Sequence, residues 1–469
     1  MRYTQVKNLG TIEQLRSYLT AVGIDLPIVE RVDATGALST PVSFTDSSAG
    51  TFSSPNRFAI LPMEGWDATP DGHPTELVRR RWQRIATSGA GLAWCEATAV
   101  RHDGRANPHQ LLLDESTVDE FAALRALLAP NQIAGLQLTH SGRWSRPDGV
   151  PAPRTAYAHP ILDERVGASE SAILRDDELD ELVVRYVDAA VLAHQAGFHF
   201  VDVKHCHGYL LHELLSAHGR AGRFGGDLEH RMYFLRTVVA GIRDRAPHLA
   251  IAVRLSAFDL IPFVASADGT GAPEPHTGPY PYPYAFGGDG TGLGIDLTET
   301  HAFLDAVTEL GIGLVSITAG SPYYNPHVQR PAYVPPSDGD RAPEDPLVGV
   351  ARQLAVTAEI TRRHPLLTTI GSGYSYLQDW LPNVGQAVIE QGGASMVGLG
   401  RMVLAYPDLP TDVLAGRPLQ RGLICRTFSD CTTAPRHGLI SGCFPLDPFY
   451  KAHPDRVELT QVKKRDRFR

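Results

Sequence analysis

Short apolar segments alternate with longer amphipathic segments from about residue 57 to residue 414. Apolar runs of this length predict buried strands, and the amphipathic stretches between them predict helices. The predicted strands are Phe58–Leu61, Gly91–Cys95, Ile133–Leu138, Phe198–Val203, Leu249–Leu255, Ile312–Ile317, Leu366–Ile370 and Ser395–Leu399. The predicted helices are Glu76–Thr87, Val118–Leu128, Glu178–Ala196, Leu228–Arg245, Leu297–Leu310, Val348–Arg363, Val384–Gln391 and Pro407–Leu414.

Eight strand–helix alternations predict an α/β protein with a (β/α)8, or TIM, barrel. The competing fold is an open doubly wound sheet, but its G-x-G-x-x-G pattern does not follow an early strand. We therefore divide the chain into an N-terminal extension (1–50), a barrel (51–420) and a C-terminal tail (421–469). The extension carries one predicted helix, Thr11–Val22, and no residues that suggest chemistry.

The charge balance narrows the class of protein. The net charge of −9 argues against binding to nucleic acid or to an anionic membrane surface. The first ten residues lack the apolar core of a signal peptide, and no run reaches the roughly 18 apolar residues of a membrane helix. Five cysteines in 469 residues do not form a disulfide framework. We expect a cytoplasmic protein, with its oligomeric state left open.

A (β/α)8 barrel carries its chemistry in the segments that follow the strands. The most marked segment follows Phe198–Val203, where Lys204, His205, His207 and Tyr209 lie within six positions. For any one of these residues a polar loop is the simpler interpretation, but four together favour a functional site. Lys204 and His207 can converge on one small anion, with the Tyr209 hydroxyl placed to donate a proton.

The ends of the last two predicted strands are typical of a phosphate site. Gly371-Ser-Gly373 offers unhindered backbone N–H groups, and Gly400-Arg401 adds amides and a guanidinium about thirty residues later. Arg254, at the end of the fifth strand, is a second candidate cation for the same ligand; the alternative is an ion pair on the barrel rim. Polar or distinctive residues also follow the first three strands: Pro62, Met63, Glu64, Glu96 and Gln137.

These motifs resemble the old yellow enzyme family of NADH:flavin oxidoreductases, especially the branch with 2,4-dienoyl-CoA reductase and trimethylamine dehydrogenase. The resemblance covers about Asn56 to Tyr450. It is carried by NRFAILPM, GAGLAWCEATAVRHDGRANP and GLQLTHSGR at the first three strands, HCHGYLLHELLS with GGDLEHR after the fourth, AVRLS at the fifth, and TIGSG with VGLGRMVLAYPDLP at the end.

The resemblance implies a cofactor and roles for the marked residues. It implies FMN as cofactor and NADH or NADPH as hydride donor. The residues expected to hold FMN are Pro62, Met63, Glu96, Gln137, Arg254, Gly371, Gly373, Gly400 and Arg401. It further implies a substrate oxygen bound by Lys204 and His207, with Tyr209 as proton donor.

Two residues of the expected site depart from the family pattern. Lys204 stands where the family usually has histidine, and a fixed charge there favours an anionic oxygen such as an enolate, phenolate or carboxylate. Glu64 stands where relatives carry Thr or Cys close to the flavin. Its carboxyl can act as a general base or, in an apolar setting, as a protonated donor. The alternative is a Glu64 turned away to pair with an arginine.

The cysteines of the C-terminal tail also depart from the family pattern. Relatives in this branch bind a [4Fe–4S] cluster through C-x2-C-x3-C-x11-C, whereas this chain has Cys425-x5-Cys431-x11-Cys443, with Phe428 and a one-residue shortening in place of the second ligand. Three thiolates do not complete that cage, so we predict no iron–sulphur cluster and no metal. A zinc site that adds His437 is a weaker alternative, because its spacing is not typical. Electron relay to a second flavin is not expected, and the tail is expected to serve as structure.

The predicted function is an FMN-dependent ene-reductase that transfers a hydride from a nicotinamide to an activated C=C bond of a small molecule. One alternative is the reverse reaction, in which a dehydrogenase or oxidase desaturates its substrate or oxidises an amine. The other alternative is a non-catalytic flavin-binding barrel. Two long loops, Ala265–Gly294 and Tyr323–Pro346, are expected to form lids or substrate walls.

Overall fold

A closed barrel of eight parallel strands forms the centre of the computed structural model, which describes residues 3–466. The strands are β1 (Phe58–Ile60), β2 (Leu92–Ala99), β3 (Ile133–Thr139), β4 (Phe200–Val203), β5 (Ala250–Ser256), β6 (Leu314–Thr318), β7 (Thr368–Gly371) and β8 (Met396–Leu399). Each strand pairs with its neighbours in chain order, and β8 pairs with β1 to close the barrel. The predicted fold class is confirmed.

Helices surround the barrel at the predicted places. They are α1 (Glu76–Ala86), α2 (Val118–Leu127), α3 (Asp176–Gln195), α4 (Tyr233–Arg245), α5 (Thr298–Glu309), α6 (Pro346–Arg363), α7 (Leu381–Glu390) and α8 (Leu409–Leu414). The prediction of a single helix over Leu228–Arg245 is wrong. A short helix, Leu228–Arg231, precedes α4, and the two are separated at Met232, where ψ is −6°.

Outside the barrel, the N-terminal helix Ile12–Ala21 begins at a capping box formed by Thr11 and Gln14. Two antiparallel hairpins were not anticipated: Val42–Asp46 with Gly50–Ser54, and Phe263–Ala265 with Gly271–Pro273. Shorter helices are Leu162–Val166, Leu210–Leu215, Pro326–Gln329, Arg401–Ala405, Asp430–Arg436 and Pro448–Ala452, and the described chain ends in Asp455–Asp466. No helix among residues 3–466 has an apolar stretch long enough to cross a membrane.

The two faces of each barrel strand are buried in different places. Along β1, Phe58 and Ile60 pack in the layer between strands and helices, whereas Ala59 belongs to a separate cluster inside the barrel. This alternation follows from the two-residue period of a strand. Phe44 of the first hairpin joins the interior cluster and meets Phe200 edge-on, with ring centroids 6.2 Å apart. The hairpin therefore plugs one end of the barrel.

Strand β2 is longer than predicted and contains a bulge. Cys95 pairs with Leu136 and Ala97 with Gln137, so Glu96 is the extra residue on its strand. A bulge shifts the side-chain alternation and re-aims the residue it contains. This irregularity decides where the Glu96 carboxylate points.

Candidate active site

A cavity of about 250 Å³ opens where the strands end. All four predicted catalytic residues line it: Glu64 after β1, and Lys204, His207 and Tyr209 after β4. Because parallel strands share one direction, the segments that follow them meet at the same end of the barrel. Chain positions more than 140 residues apart therefore share one wall.

The turn after β4 presents the catalytic side chains. His207 and Gly208 both have positive φ, 68° and 75°, and a Cβ on Gly208 would lie 2.8 Å from the Tyr324 ring. Glycine adopts this conformation freely, whereas it is uncommon for histidine. The backbone N–H of His207 donates to Ser256 Oγ at 3.0 Å, which fixes the turn against β5.

His207 is a neutral hydrogen-bonding group. Burial lowers its pKa well below the usual value, and the charges of Arg254 and Lys204 lower it further. Its Nε2 lies 3.4 Å from Thr318 Oγ1 and 3.2 Å from the Gln329 amide nitrogen. Of the pair expected to bind an anion, Lys204 therefore supplies the charge.

Lys204 lies against the ring of Tyr209, with Nζ 3.6 Å from the ring centroid. A cation over an aromatic face is attracted by the ring quadrupole. The same lysine lowers the pKa of Glu64, although burial is the larger effect and leaves that pKa raised. No lysine or arginine nitrogen lies within 4 Å of the Glu64 carboxylate in the described chain, so the alternative of an ion pair with an arginine is not what the structure has.

Two tyrosines and a glutamine complete the surroundings of Glu64. The Tyr209 hydroxyl lies 3.0 Å from Glu64 Oε2 and 3.0 Å from the Tyr323 hydroxyl. Gln110 Nε2 donates to Glu64 Oε1 at 2.5 Å. Burial raises the pKa of Tyr209, and the neighbouring Glu64 raises it further. Tyr209 is therefore a phenol that keeps its proton at neutral pH.

Six of the nine predicted cofactor residues line the cavity: Pro62, Met63, Arg254, Gly373, Gly400 and Arg401. Gly371, Gln137 and Glu96 do not. Gln137 donates to Asp202 Oδ2 at 2.5 Å inside the barrel, where burial raises the pKa of Asp202 to about 6. Gly371 is the last residue of β7.

Glu96 points away from the cavity because of the bulge in β2. Its carboxylate accepts hydrogen bonds from Arg81 Nε (3.2 Å), Trp82 Nε1 (3.1 Å) and the Gly65 backbone N–H (3.2 Å). Arg81 also pairs with Asp67 and lines the cavity. Glu96 therefore positions the segment after β1 and the Arg81 side chain.

Sequence reasoning missed several lining residues. The loop after β6 supplies Pro322, Tyr323, Gln329 and Arg330, and the tail supplies Cys431, Thr432, Pro435, Arg436 and Ser441. The Tyr323–Pro346 loop was expected to form a wall, but the individual residues carried no motif. The tail, which was expected to serve as structure, also forms part of the cavity wall. The other expected lid, Ala265–Gly294, does not contribute to the lining.

The tail cysteines are free thiols: Cys425 is buried, and Cys431 and Cys443 are half-buried. Among residues 3–466, no three His, Cys, Asp or Glu side chains are grouped to hold a metal ion. The expectation that the protein binds no iron–sulphur cluster stays a prediction.

Three guanidiniums at the cavity lack a carboxylate partner. Within the described chain, no Asp or Glu oxygen lies within 4 Å of Arg254, Arg330 or Arg401. Burial, together with the charge of nearby Arg401, lowers the pKa of Arg330 to about 9. Buried cations that lie close to one another need an anion to offset their charge.

Polar atoms that have no hydrogen-bond partner among the described residues cluster in the same place. They are Arg254 Nε, Arg330 Nε, Ser372 Oγ and Arg401 Nη1. A buried polar group left unpaired costs about 1–3 kcal/mol. A Cβ added to Gly400 would meet nothing within 4 Å, so that backbone faces open space. These groups fit the phosphate and the polar ring edge of FMN.

Comparison with known proteins agrees with this geometry. Residues 48–267 match the NADH:flavin oxidoreductase / NADH oxidase family. A metal reductase of Desulforamulus reducens is 26% identical over 385 residues, 81% of this chain and 49% of that protein. An NADPH dehydrogenase of Bacillus pumilus is 32% identical over 200 residues, 40% of this chain and 56% of that protein.

A solved complex of 2-naphthoyl-CoA reductase has the same fold, with a TM-score of 0.66, 17% identity, and coverage of 91% of this chain and 58% of that chain. The chain thus spans about half the length of the curated relatives it matches. The predicted resemblance is confirmed, and with it the predicted cofactor class of FMN with a nicotinamide.

Proposed function

Because residues 48–267 of this chain match the NADH:flavin oxidoreductase / NADH oxidase family, we propose that it is an FMN-dependent oxidoreductase that reduces an activated C=C bond of a small molecule. Bound FMN would supply the hydride-transfer chemistry between the nicotinamide and the substrate. The observation that carries the proposal is the grouping of Lys204, His207 and the Tyr209 phenol on one wall of a cavity whose other groups fit FMN.

The residues divide into those that hold the cofactor and those that act on the substrate. Backbone groups of Pro62, Met63, Gly373 and Gly400 and the side chains of Ser372, Arg254, Arg330 and Arg401 hold the cofactor. Lys204 and neutral His207 bind the substrate oxygen, and the charge on Lys204 stabilises negative charge that develops there. Tyr209 donates the proton to the substrate carbon.

The runner-up is the reverse reaction, the removal of hydrogen from a saturated substrate or an amine. Glu64 favours it, because its carboxyl lies 3.0 Å from the Tyr209 hydroxyl and, when ionised, can take the phenol's proton as the phenol oxygen takes one from the substrate. The non-catalytic barrel is less well supported, because the Tyr209 hydroxyl is both presented to the cavity and hydrogen-bonded.

The deciding experiment reduces the purified holoenzyme with NADH or NADPH under argon and follows the flavin absorbance. Reoxidation by a panel of enones, quinones and unsaturated acids supports the reductase. A flavin that is bleached instead by saturated substrates or amines supports the reverse reaction. If neither nicotinamides nor substrates change the spectrum, the protein is a binding barrel.

Replacing Tyr209 by Phe tests the role of the phenol. We expect reoxidation by the best alkene to slow about 10²–10⁴-fold, the usual contribution of a general acid, while reduction by the nicotinamide changes little. Stopped-flow absorbance measures both steps separately. An unchanged reoxidation rate would assign proton delivery to another group.

Iron and acid-labile sulfide analysis of the same preparation tests the cluster prediction. We expect neither element at cluster stoichiometry, because the second ligand position of the family pattern is Phe428.

A further inference from the structure

Four polar side chains, three of which line the cavity, form a continuous hydrogen-bonded chain. Gln110 Nε2 donates to Glu64 Oε1 at 2.5 Å, Glu64 Oε2 lies 3.0 Å from the Tyr209 hydroxyl, and that hydroxyl lies 3.0 Å from the Tyr323 hydroxyl. Gln110 donates to the carboxyl from one side, so the other carboxyl oxygen is left for Tyr209. The chain therefore joins the proposed proton donor directly to an acid.

The setting of Glu64 favours its protonated form. Glu64 is half-buried beside Trp66, Tyr209 and Tyr323, and this burial raises the pKa of its carboxyl. Lys204, which lies over the ring of Tyr209, opposes this shift without forming an ion pair within 4 Å. The carboxyl thus holds its proton more firmly than an exposed glutamate does, while a nearby charge is in place to stabilise the carboxylate that remains when the proton leaves.

We propose that Glu64 is the proton reservoir of the site, which returns a proton to Tyr209 each time the phenol has delivered its own. This inference rests on the proposed function and goes beyond it, because it assigns the second proton transfer to a named carboxyl. The Tyr323 hydroxyl also lies 3.0 Å from the Tyr209 oxygen, and Tyr323 acts as a positioning residue.

The transfer balances in atoms and charge. The two electrons that reduce the C=C bond come from the nicotinamide with the hydride. The Tyr209 O–H bond breaks as a C–H bond forms on the neighbouring substrate carbon. The tyrosinate then takes the proton of Glu64 and leaves a carboxylate beside Lys204. After the product leaves, Glu64 recovers a proton from water that enters the cavity.

A narrower role for Glu64 makes different predictions. If the carboxyl only orients the Tyr209 hydroxyl, then a glutamine, which has nearly the same shape and still accepts a hydrogen bond, should serve almost as well. A proton reservoir fails with glutamine, because the amide has no acidic proton to give.

The experiment measures steady-state reduction of 2-cyclohexen-1-one by the holoenzyme with NADH or NADPH between pH 5 and pH 10, because Tyr209 must be reprotonated from the second turnover onward. In the wild type, the rate should fall as pH rises through the ionisation of Glu64. In Glu64→Gln, the rate at pH 7 should be at least tenfold lower and this limb of the pH profile should be absent. Tyr323→Phe is the matched control, and it should keep the limb whatever its rate.

A second measurement needs no turnover. The probe is pentafluorophenol, an acidic phenol, which we expect to bind the oxidised holoenzyme as the phenolate. Its affinity for the wild type, read from the charge-transfer band, should fall as Glu64 ionises, because like charges then repel. The affinity for Glu64→Gln should not fall.

The two arms separate the inference from the function on which it rests. If no alkene reoxidises the wild type, the reductase proposal fails, while the phenolate titration still reports the ionisation of Glu64. If Glu64→Gln keeps the wild-type rate and the wild-type pH limb, the reservoir is overturned and Glu64 only orients Tyr209.

Discussion

At the scale of single residues, the pair expected to bind the substrate oxygen consists of one charged group, Lys204, and one neutral group, His207. Lys204 is held against the Tyr209 ring, while burial keeps the His207 imidazole neutral. The lysine can therefore favour an anionic oxygen electrostatically, whereas His207 contributes direction and hydrogen bonding. This difference makes Lys204 the residue to change first.

Replacing Lys204 by Met removes the charge at similar length. A charge-assisted hydrogen bond is worth about 1.5–3 kcal/mol, so we expect a para-substituted phenolate to bind roughly ten- to a hundred-fold more weakly. Titration of the charge-transfer band measures the affinity, and Lys451→Met, at an exposed position, is the control. Equal affinity and an equal band would make Lys204 a structural partner of Tyr209 and Glu64.

At the scale of elements, the strands are held by close packing inside the barrel. Gly135 of β3 faces the ring of Phe200 on β4, and a Cβ added to Gly135 would lie 2.0 Å from that ring. At the level of Gly135, the barrel interior has no room for even one additional methyl group. The absence of a side chain at this position is therefore a packing requirement.

Gly135→Ala should lower the free energy of unfolding by about 1–3 kcal/mol, the usual cost of overpacking a well-filled core. Urea denaturation followed by far-UV circular dichroism measures the change. Gly219→Ala is the control, because a Cβ there meets nothing within 4 Å. A variant at 135 with wild-type stability would mean that Phe200 moves aside freely.

The segment after β6 and the tail act together on the cavity. Arg330 donates to Ser429 Oγ at 3.0 Å and also to Thr432 Oγ1, so hydroxyl groups of the tail hold the guanidinium without neutralising it. An arginine held this way keeps its charge for a ligand. The phosphate of FMN is the anion we assign to it.

Arg330→Met should weaken FMN binding roughly ten- to a hundred-fold, the value of one charge-assisted contact, and leave riboflavin binding unchanged, because riboflavin has no phosphate. Quenching of flavin fluorescence by the apoprotein measures both affinities. Arg421→Met, at an exposed surface ion pair with Asp379, is the control. An equal loss for FMN and riboflavin would show that Arg330 only supports the fold.

At the scale of the whole molecule, several histidines are buried in their neutral form. Burial lowers the pKa of His205 to about 4, that of His212 to about 3 and that of His327 to about 4. In the unfolded chain their pKa is about 6.5. Since unfolding then takes up protons, these groups stabilise the fold above pH 6.5 and lose that contribution as pH falls toward 4.

His205→Asn should therefore reduce the number of protons taken up on unfolding at pH 5 by about one. The pH dependence of the unfolding free energy between pH 6.5 and pH 4 gives this number. Asn can still donate to the Val203 carbonyl that His205 Nδ1 contacts at 2.7 Å. An unchanged pH slope would mean that His205 is already protonated in the folded protein.

The linear pattern alone determined the barrel. Eight apolar segments separated by amphipathic ones specify alternating strands and helices, because each segment can bury its apolar face only in that arrangement. The family motifs also indicated Tyr209, His207, Lys204 and Glu64, since these side chains lie close to the ends of strands, where neighbouring segments must meet. Local periodicity suffices for such features.

Only the tertiary structure decided which distant residues share the cavity and where they point. A single bulge in β2 turned Glu96 from an expected cofactor contact into a support for Arg81. Tyr323 and Arg330 entered the wall through an irregular loop, and the tail did so by docking on that loop. Bulges, loop paths and docking depend on contacts between distant parts of the chain, and hydrophobic periodicity contains no record of those contacts.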